Sequence, residues 1–193
     1  MAQPHLQIIV GSTRPGRRGA AVGRWFHDLA VEYDRFDVEL IDLVDVDLPL
    51  LDEPGPAGRE PYTMAHTQRW SRTIGAGQAY VFVVPEYNHS FNAATKNALD
   101  FLDEEWQHKP VGFVGYGGVA AGARAIQALI PVVVALGMTP APRAVHIPMV
   151  NRAVPADGSF HGDDRLDRTA MALLDHLFDA TVERMATDRA AAV

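Results

Sequence analysis

The feature that most constrains the fold is the regular alternation of short apolar runs with longer amphipathic stretches along 193 residues. The short runs are rich in β-branched residues and have the length of buried strands, whereas the longer stretches repeat apolar residues at helical spacing. Parallel strands need long crossover connections, and helices usually supply them. The alternation therefore predicts an α/β fold, a doubly wound parallel sheet with helices on both faces.

The pattern predicts five strands and five helices. The second strand candidate begins by alternating apolar and charged residues, which is typical of a partly covered strand near a sheet edge. The region 45–61 is rich in proline, glycine and acidic residues, and we expect one loop there. The predicted strands are 6–10, 36–43, 79–84, 111–116 and 143–147, and the predicted helices are 20–33, 62–77, 92–102, 120–136 and 166–182.

Composition excludes several classes of protein. The absence of cysteine rules out a disulfide framework and thiolate chemistry. A hydrophobic fraction of 48% argues against disorder, and a net charge of -7 argues against general nucleic-acid affinity. The most apolar stretch, 125–138, is too short to span a bilayer, and no secretory signal is visible at the start. We expect one domain over residues 1–193, in the cytoplasm.

In a doubly wound sheet, ligands bind beyond the carboxyl ends of the strands, so the loops after the strands are the candidate sites. The loop 11–19 joins a strand to a helix and carries two hydroxyls, three arginines and three glycines. This combination suits a dianionic phosphate, because backbone N–H groups and the helix dipole point at the anion. Its spacing fits neither the triphosphate-binding loop nor the dinucleotide fingerprint. An ordinary turn with solvated arginines is the alternative.

Two further loops have unusual compositions. The loop 85–90 places a carboxylate, an amide, a hydroxyl and an aromatic ring behind a proline, which suits a planar heterocycle. The alternative is a simple helix start with Ser90 or Asn92 as the N-cap. In the loop 115–118, the paired glycines beside Tyr116 would let the backbone approach a flat ligand and leave N–H groups unobstructed, although paired glycines also occur in plain turns.

Taken together, these loops resemble those of the NADPH-dependent FMN reductase family, whose members include quinone, azo-dye and chromate reductases. The resemblance covers most of the chain, and PEYN followed by KNALD is its most specific part. It implies a flavodoxin-like five-stranded sheet with strand order 2-1-3-4-5. The matching segments are GSTRPGRRG (11–19), IDLVDVDLPLLDEP (41–54), PEYNHSFNAATKNALDFL (85–102) and GYGGVAAGARAIQAL (115–129).

The resemblance also implies the cofactors and the site. FMN would be the cofactor, NADPH or NADH the co-substrate, and a quinone, an azo compound or free flavin the acceptor. The flavin carries the hydride chemistry, so no catalytic side chain is required. His89 is a candidate proton donor to a quinone product, or simply a solvated histidine. The phosphate would lie on Ser12, Arg14, Arg17, Arg18 and Gly19, and the ring against Pro85, Glu86, Tyr87, Asn88, Gly117 and Gly118, with Ser90 and Tyr116 as further cofactor-binding residues.

Two residues depart from the family's pattern, since Asn92 stands where proline is common and Thr95 where leucine is common. The region of helix 92–102 and Trp106 carries more apolar surface than one sheet face covers. This predicts a homodimer or a homotetramer, with Trp70 and Trp106 used in packing or in a subunit contact.

The histidines and carboxylates show no metal-binding spacing, and we expect the acidic stretch 42–53 to be a solvated loop. Two other functions remain open at this stage. One is a flavodoxin-type electron carrier, which the acidic stretch favours. The other is a flavin-free binding module on the same scaffold.

Overall fold

The computed structural model describes residues 3–155 and 157–191, and its central feature is one parallel sheet. The described strands are β1 (His5–Val10), β2 (Asp37–Asp42), β3 (Ala79–Pro85), β4 (Pro110–Tyr116), β5 (Thr139–Pro140) and β6 (Val145–Ile147). Their order is β2-β1-β3-β4, with β5 and β6 both paired to β4. The predicted flavodoxin-like doubly wound order is therefore confirmed, and β2 lies at an edge as its alternating sequence indicates.

The fifth strand position is divided between two short segments. Thr139 pairs with Pro110 near the start of β4, and Val145 pairs with Val114 near its end. Pro140 ends the first segment, where it pairs with Val111, and Pro142 follows it before the second segment; neither has an N–H to donate to a ladder. The prediction of one strand over 143–147 was therefore incomplete, because it missed the pairing at Thr139.

All five predicted helices are present, and two single-turn helices accompany them in the described part of the chain. Helical periodicity cannot be recognised in one turn, so the prediction of a plain loop beginning at residue 45 was wrong at its start. No helix within residues 3–155 and 157–191 is both long and apolar enough to cross a membrane. The helices are α1 (Gly19–Tyr33), α2 (Leu43–Val46), α3 (Ala65–Ala76), α4 (Ala93–Asp100), α5 (Ala123–Ala135), α6 (Val150–Ala153) and α7 (Asp164–Ala191), with a 3-10 turn at Glu104–Trp106.

Two helices begin later than their sequence patterns indicate, for local reasons. The carboxylate of Glu53 accepts hydrogen bonds from the backbone N–H groups of Thr63 and Met64, which holds that segment extended until α3 starts. Before α5, Ala121 and Gly122 have φ angles of 55° and 81°, in the left-handed region that ends or precedes regular helix. The spacing of apolar residues reveals neither effect. It does not show the hydrogen bonds of Glu53 before α3, and it does not show the left-handed backbone before α5.

The sheet separates two apolar clusters. On one face Ile8, Val83 and Val114 pack against α1 and α7, whereas on the other face Ile9 and Phe82 pack against α3, α4 and α5. Consecutive residues of β1 thus point to opposite faces, as the two-residue period of a strand requires.

Both tryptophans considered for a subunit contact belong to the second cluster. Trp106 is fully buried and its indole N–H donates to the carbonyl of Leu99, and Trp70 donates to the carbonyl of Ala98. Their rings lie 6.3 Å apart in an edge-to-face arrangement. The expectation that the Trp106 region leaves uncovered apolar surface was therefore wrong, and it does not support a dimer.

A buried lysine lies at the amino end of the sheet, far from the loops after the strands. Lys109 Nζ donates to the Tyr80 hydroxyl at 2.8 Å and to the Ile74 carbonyl at 3.2 Å, at the end of α3. Burial lowers the pKa of Lys109 to about 8; the nearby Arg184 guanidinium acts in the same direction and Glu105 opposes it. The protonated form of Lys109 is thus less stable in the folded protein than in water.

We expect the Lys109→Met variant to lose part of the pH dependence of stability. The pKa of this lysine falls from 10.5 to about 8 on folding, so the unfolded chain binds more protons between these values and stability rises with pH there. Between pH 7.5 and 9.5 the titration of Lys109 raises the free energy of unfolding by at most about 2 kcal/mol. Urea unfolding of both proteins at the two pH values measures it, and an identical rise in the variant would contradict this account.

Candidate functional site

The order of the strands reverses between β1 and β3, because the chain runs from β1 to β2 on one side and returns to β3 on the other. Such a reversal opens a crevice at the carboxyl ends of the two strands. A cleft of about 390 Å³ lies there and unites the three loops singled out in the sequence. It is lined by Arg14, Arg18, Pro85, Glu86, Tyr87, Tyr116, Gly117 and Gly118, and by Met149, Val150, Asn151 and Arg152.

A second cleft, of about 320 Å³, lies at the opposite end of the molecule, between Pro4, Asp34 and Phe178. None of the predicted site residues lines it. Parallel sheets present their ligand-binding loops at the carboxyl ends of the strands, so the first cleft is the candidate site.

The first loop ends at a helix N-terminus that protein side chains leave available. Arg18 occupies the N-cap position of α1, no described side chain caps the helix, and its first turn contains no acidic residue. The N–H groups of Ala21 and Val22 donate to the Arg18 carbonyl, and the positive end of the dipole and the N–H groups before Ala21 are left to face an anion. Arg14 is exposed beside this terminus, with its guanidinium 5.5 Å from the centre of the Tyr87 ring.

The other two arginines of the loop are held by protein groups. Arg17 forms an ion pair with Asp42 at the end of β2, and its Nε is buried without a hydrogen-bond partner among the described residues. Arg18 donates from Nη1 to the carbonyl of Pro155 at 2.5 Å. Asp42 was expected in a solvated loop, but it is mostly buried and also accepts from the N–H of Val44.

Two buried hydroxyls lie below the first turn of α1. Ser12 is fully buried and Tyr116 nearly so, and neither hydroxyl has a hydrogen-bond partner of normal geometry in the described part of the chain. A Cβ added to Gly19 would lie 2.2 Å from Ser12 Oγ and 2.4 Å from the Tyr116 oxygen. Burial raises the pKa of Tyr116, so its hydroxyl remains protonated and able to donate. Unpaired buried donors beside an uncapped helix terminus indicate an anionic ligand.

The second loop is a tight turn attached to both neighbouring strands. Glu86 donates its N–H to the Tyr116 carbonyl, and Tyr87 and Ser90 exchange two backbone hydrogen bonds of 2.9 and 3.0 Å. Asn88 and His89 between them have φ angles of 50° and 71°, as in a type I′ turn. Asn88 is exposed at the tip, while Pro85 to Tyr87 line the cleft.

The helix after this turn begins at the second of the two proposed caps. Asn92, rather than Ser90, is the N-cap residue of α4. Its side chain makes no cap hydrogen bond to its own helix.

A histidine, an arginine and a glutamate form a cluster beside this turn. Arg124 donates from Nη1 to His89 Nε2 at 2.9 Å and from Nε to Glu86 Oε1 at 2.5 Å. Because arginine has no acceptor, His89 Nε2 must accept and is therefore unprotonated. This arrangement argues against proton donation from that nitrogen. Arg124 was not among the predicted site residues; its signal is its place in the first turn of the helix after the glycine segment.

The third loop is fixed by the segment that follows β6. Gly117 donates its N–H to the Ile147 carbonyl and accepts from the N–H of Val150, and the carbonyl of Gly118 accepts from Met149. The expectation of unobstructed N–H groups was therefore wrong for Gly117. A Cβ at Gly117 would lie 3.3 Å from Glu86 Cβ, so a glycine there lets the second and third loops pack closely.

The sequence analysis also missed the short segment 149–152 that lines the cleft. Its signal is its position, since it follows the last strand and must reach the same edge of the sheet as the other loops. It adds Arg152 to the rim beside Arg14 and Arg18. Within the described residues, no cluster of three or more histidine and carboxylate side chains could hold a metal ion.

Comparison with known proteins points to flavin enzymes. Residues 4–152 match the model of a family described as NADPH-dependent FMN reductase. An NAD(P)H-dependent FMN reductase of Schizosaccharomyces pombe is 39% identical over 126 residues, which are 64% of this chain and 63% of the relative. An FMN-dependent NADPH-azoreductase of Staphylococcus saprophyticus is 31% identical over 112 residues, 58% of this chain and 59% of the relative. The chain thus spans about three fifths of these relatives.

Among solved structures, the flavoenzyme NAD(P)H:(acceptor) oxidoreductase FerB of Paracoccus denitrificans superposes with a TM-score of 0.73. The match covers 94% of this chain and 98% of that protein, at 23% sequence identity. At this level of identity the likeness establishes the flavodoxin-like fold.

We expect Gly19→Ala to weaken the binding of FMN at least about tenfold, because the new methyl group would occupy the space between the Ser12 and Tyr116 hydroxyls. Gly75→Ala is the matched control, since Gly75 also lies in a helix and a Cβ there meets no atom within 4 Å. Fluorescence titration of each flavin-free protein with FMN gives the dissociation constants. Equal dissociation constants for the two variants would show that the ligand does not bind at the Ser12 and Tyr116 hydroxyls.

Proposed function

Because the chain belongs to the NADPH-dependent FMN reductase family, which depends on FMN and NAD(P)H, we propose that it binds FMN in the 390 Å³ cleft and passes hydride from NADPH or NADH to a small acceptor. The acceptor would be a quinone, an azo compound or free flavin. The azoreductase relative supports the azo compound as a candidate. We further propose that residues 1–193 act as one flavodoxin-like domain in the cytoplasm.

The pair of buried hydroxyls below the N-terminus of α1, neither of which has a hydrogen-bond partner of normal geometry among the described residues, supports this proposal most directly. Ser12 and Tyr116 could each donate to a phosphate oxygen, and the α1 terminus and Arg14 supply positive charge. A terminal phosphate is the part of FMN that needs such donors. The residues present therefore fit FMN. In the proposed site the phosphate contacts Ser12, Arg14, Arg17, Arg18, Gly19 and the Tyr116 hydroxyl, the ring contacts Pro85, Glu86, Tyr87, Asn88, Gly117 and Gly118, and Ser90 is a further cofactor-binding residue.

The bound FMN supplies the hydride transfer chemistry. The chain's own residues bind and orient: the α1 terminus and its hydroxyls fix one end of the ligand, and the turn 85–90 fixes the other. The glycines at 117 and 118 keep side chains away from the face between the second and third loops. Arg124 forms an ion pair with the Glu86 carboxylate, which is only 6% exposed, and so holds this side chain at the edge of the second loop.

An electron carrier of the flavodoxin kind is less well supported. The acidic stretch that favoured a carrier is largely occupied by internal contacts. Asp52 accepts from His66 at 2.8 Å, and Glu53 accepts from the Thr63 hydroxyl at 2.6 Å. The cleft itself is bordered by arginines, whereas a carrier that docks protein partners through acidic groups would need carboxylates there.

The proposed function predicts a yellow protein that turns over without a partner reductase. We expect flavin absorption in the visible range after incubation with FMN, its bleaching by NADPH or NADH in the absence of oxygen, and sustained nicotinamide oxidation when a quinone or azo dye is added. Bleaching only in the presence of a separate reductase would indicate a carrier. A folded protein that takes up no FMN would indicate a flavin-free binding module.

We also propose a homodimer, on a surface that includes part of the helix 92–102 expected from the sequence but not Trp106. Leu50 is 83% exposed and Val44 38% exposed, beside a groove of about 360 Å³ that the first half of α4 lines. Asn97 holds this segment by accepting from the N–H of Leu51 and donating to the carbonyl of Pro49. An exposed apolar patch presented by a fixed backbone is typical of an interface between subunits.

We expect light scattering at micromolar concentration to give twice the chain mass, or four times if dimers pair. Leu50→Asp should shift the mass towards that of the monomer, because a carboxylate would be buried without a partner. Val119→Asp is the control, since Val119 is 90% exposed elsewhere. A monomer mass for the unmodified protein would remove the dimer proposal.

A further inference from the structure

Two buried polar side chains connect α4 to the carboxyl end of β1. Asn92 is 7% exposed and donates from Nδ2 to the carbonyl of Gly11 at 2.6 Å. Thr95 is fully buried and donates from Oγ1 to Asn92 Oδ1 at 2.8 Å. The hydrogen bonds therefore run in series from Thr95 of α4, through Asn92, to the Gly11–Ser12 peptide at the start of the loop 11–19.

This use of Asn92 differs from ordinary helix capping. An asparagine at an N-cap usually accepts a hydrogen bond from an N–H in the first turn of its own helix. Here the side-chain oxygen accepts from Thr95 instead, and α4 has no side-chain cap. Because the Thr95 hydroxyl binds Oδ1, the amide nitrogen of Asn92 is directed at Gly11.

The hydrogen bond to Gly11 fixes the direction of the next N–H. The peptide group is planar and trans, so the N–H of Ser12 lies on the side opposite the Gly11 carbonyl. Asn92 thus holds this peptide with its carbonyl towards α4 and the following N–H away from it. The N–H of Gly11 is held as well, by the Val83 carbonyl at 3.0 Å.

The packing leaves little freedom around this peptide. A Cβ on Gly11 would lie 2.1 Å from Thr95 Oγ1 and 3.3 Å from Asn92 Oδ1. Asn92 and Thr95 each satisfy a buried polar group of the other. Either residue alone would leave an unpaired buried group, which is costly.

We propose that Asn92 and Thr95 are positioning residues that hold the Gly11–Ser12 peptide in the geometry that binds the phosphate end of the ligand. The inference rests on the proposed binding of FMN in this cleft. We infer that the pair acts on the phosphate end rather than on the ring, because the side-chain hydrogen bond from Asn92 to a ligand loop goes to Gly11 of the first loop. Ser12 transmits the effect, since its N–H and its hydroxyl both belong to the phosphate site.

Comparison of FMN with riboflavin, which lacks the phosphate, tests this role. The dissociation constants of both ligands are measured by fluorescence titration for the flavin-free parent protein and for Thr95→Val, Thr95→Ser and Asn92→Asp. Thr181→Val is the matched control, because Thr181 is also a fully buried helical threonine, whose hydroxyl bonds the Leu177 carbonyl within α7. Urea unfolding of each variant reports stability separately.

We expect the ratio of the riboflavin constant to the FMN constant to fall about tenfold in Thr95→Val and Asn92→Asp, and to stay near the parent value in Thr95→Ser and Thr181→Val. Exchange of the Gly11 amide with solvent, followed by NMR in the absence of flavin, should be faster in Thr95→Val than in Thr95→Ser.

An unchanged ratio in Thr95→Val and Asn92→Asp would overturn the proposal, as would an equal loss of affinity for both ligands. If Thr95→Val does not fold, Asn92→Asp and the rescue by serine still decide the question. Failure of the parent protein to bind FMN would instead contradict the proposed function itself.

Discussion

The site depends on one electrostatic constraint, the unpaired N–H groups at the start of α1. Every helix begins with donors that have no intrahelical acceptor, and proteins usually satisfy them with a capping side chain or water. Here the N-cap is Arg18, whose side chain can only donate, although its carbonyl accepts from the N–H groups of Ala21 and Val22. The buried hydroxyls of Ser12 and Tyr116 add donors at the same place. An anion is the kind of ligand that these donors suit.

The three arginines of the first loop do not contribute equally to the positive charge at the start of α1. Asp42 pairs with Arg17 and the Pro155 carbonyl accepts from Arg18, so both side chains also tie the loop to neighbouring parts of the fold. Arg14 is the exposed member of the three. A site of this kind combines a rigid arrangement of backbone donors with one adaptable charge, and binding then costs little ordering of side chains.

The sequence predicted the sheet well because each strand and helix is marked by its own residues. The runs in β1, β3 and β4 are continuous and apolar, and the order 2-1-3-4-5 followed from the resemblance of the loop segments to one family. The short helices α2 and α6 were missed because four residues hold too little periodicity. The starts of α3 and α5 were displaced by Glu53 and by the backbone at Gly122, which are tertiary and conformational effects.

The site was predictable to a similar extent. The three loops were recognised because glycine, arginine and proline have local conformational and chemical meaning. Contacts between distant segments were not, because a hydrogen bond such as that from Arg124 to His89 depends on how α5 and the second loop meet. For the same reason, the sequence did not predict the hydrogen bond from the Gly117 N–H to the Ile147 carbonyl or the one from Asn92 to the Gly11 carbonyl.

The division of the fifth strand position bears on how the protein behaves when crowded. A sheet edge with a long row of free N–H and C=O groups can recruit strands from other molecules. At this edge β5 has two residues, the second of which is Pro140, and β6 has three. Pro142 lies between the two strands. The opposite edge strand, β2, carries charged side chains at 37 and 39, which contact His5 and Gln7 of β1. Short strands with prolines at one border and charged residues at the other both disfavour the addition of a further strand.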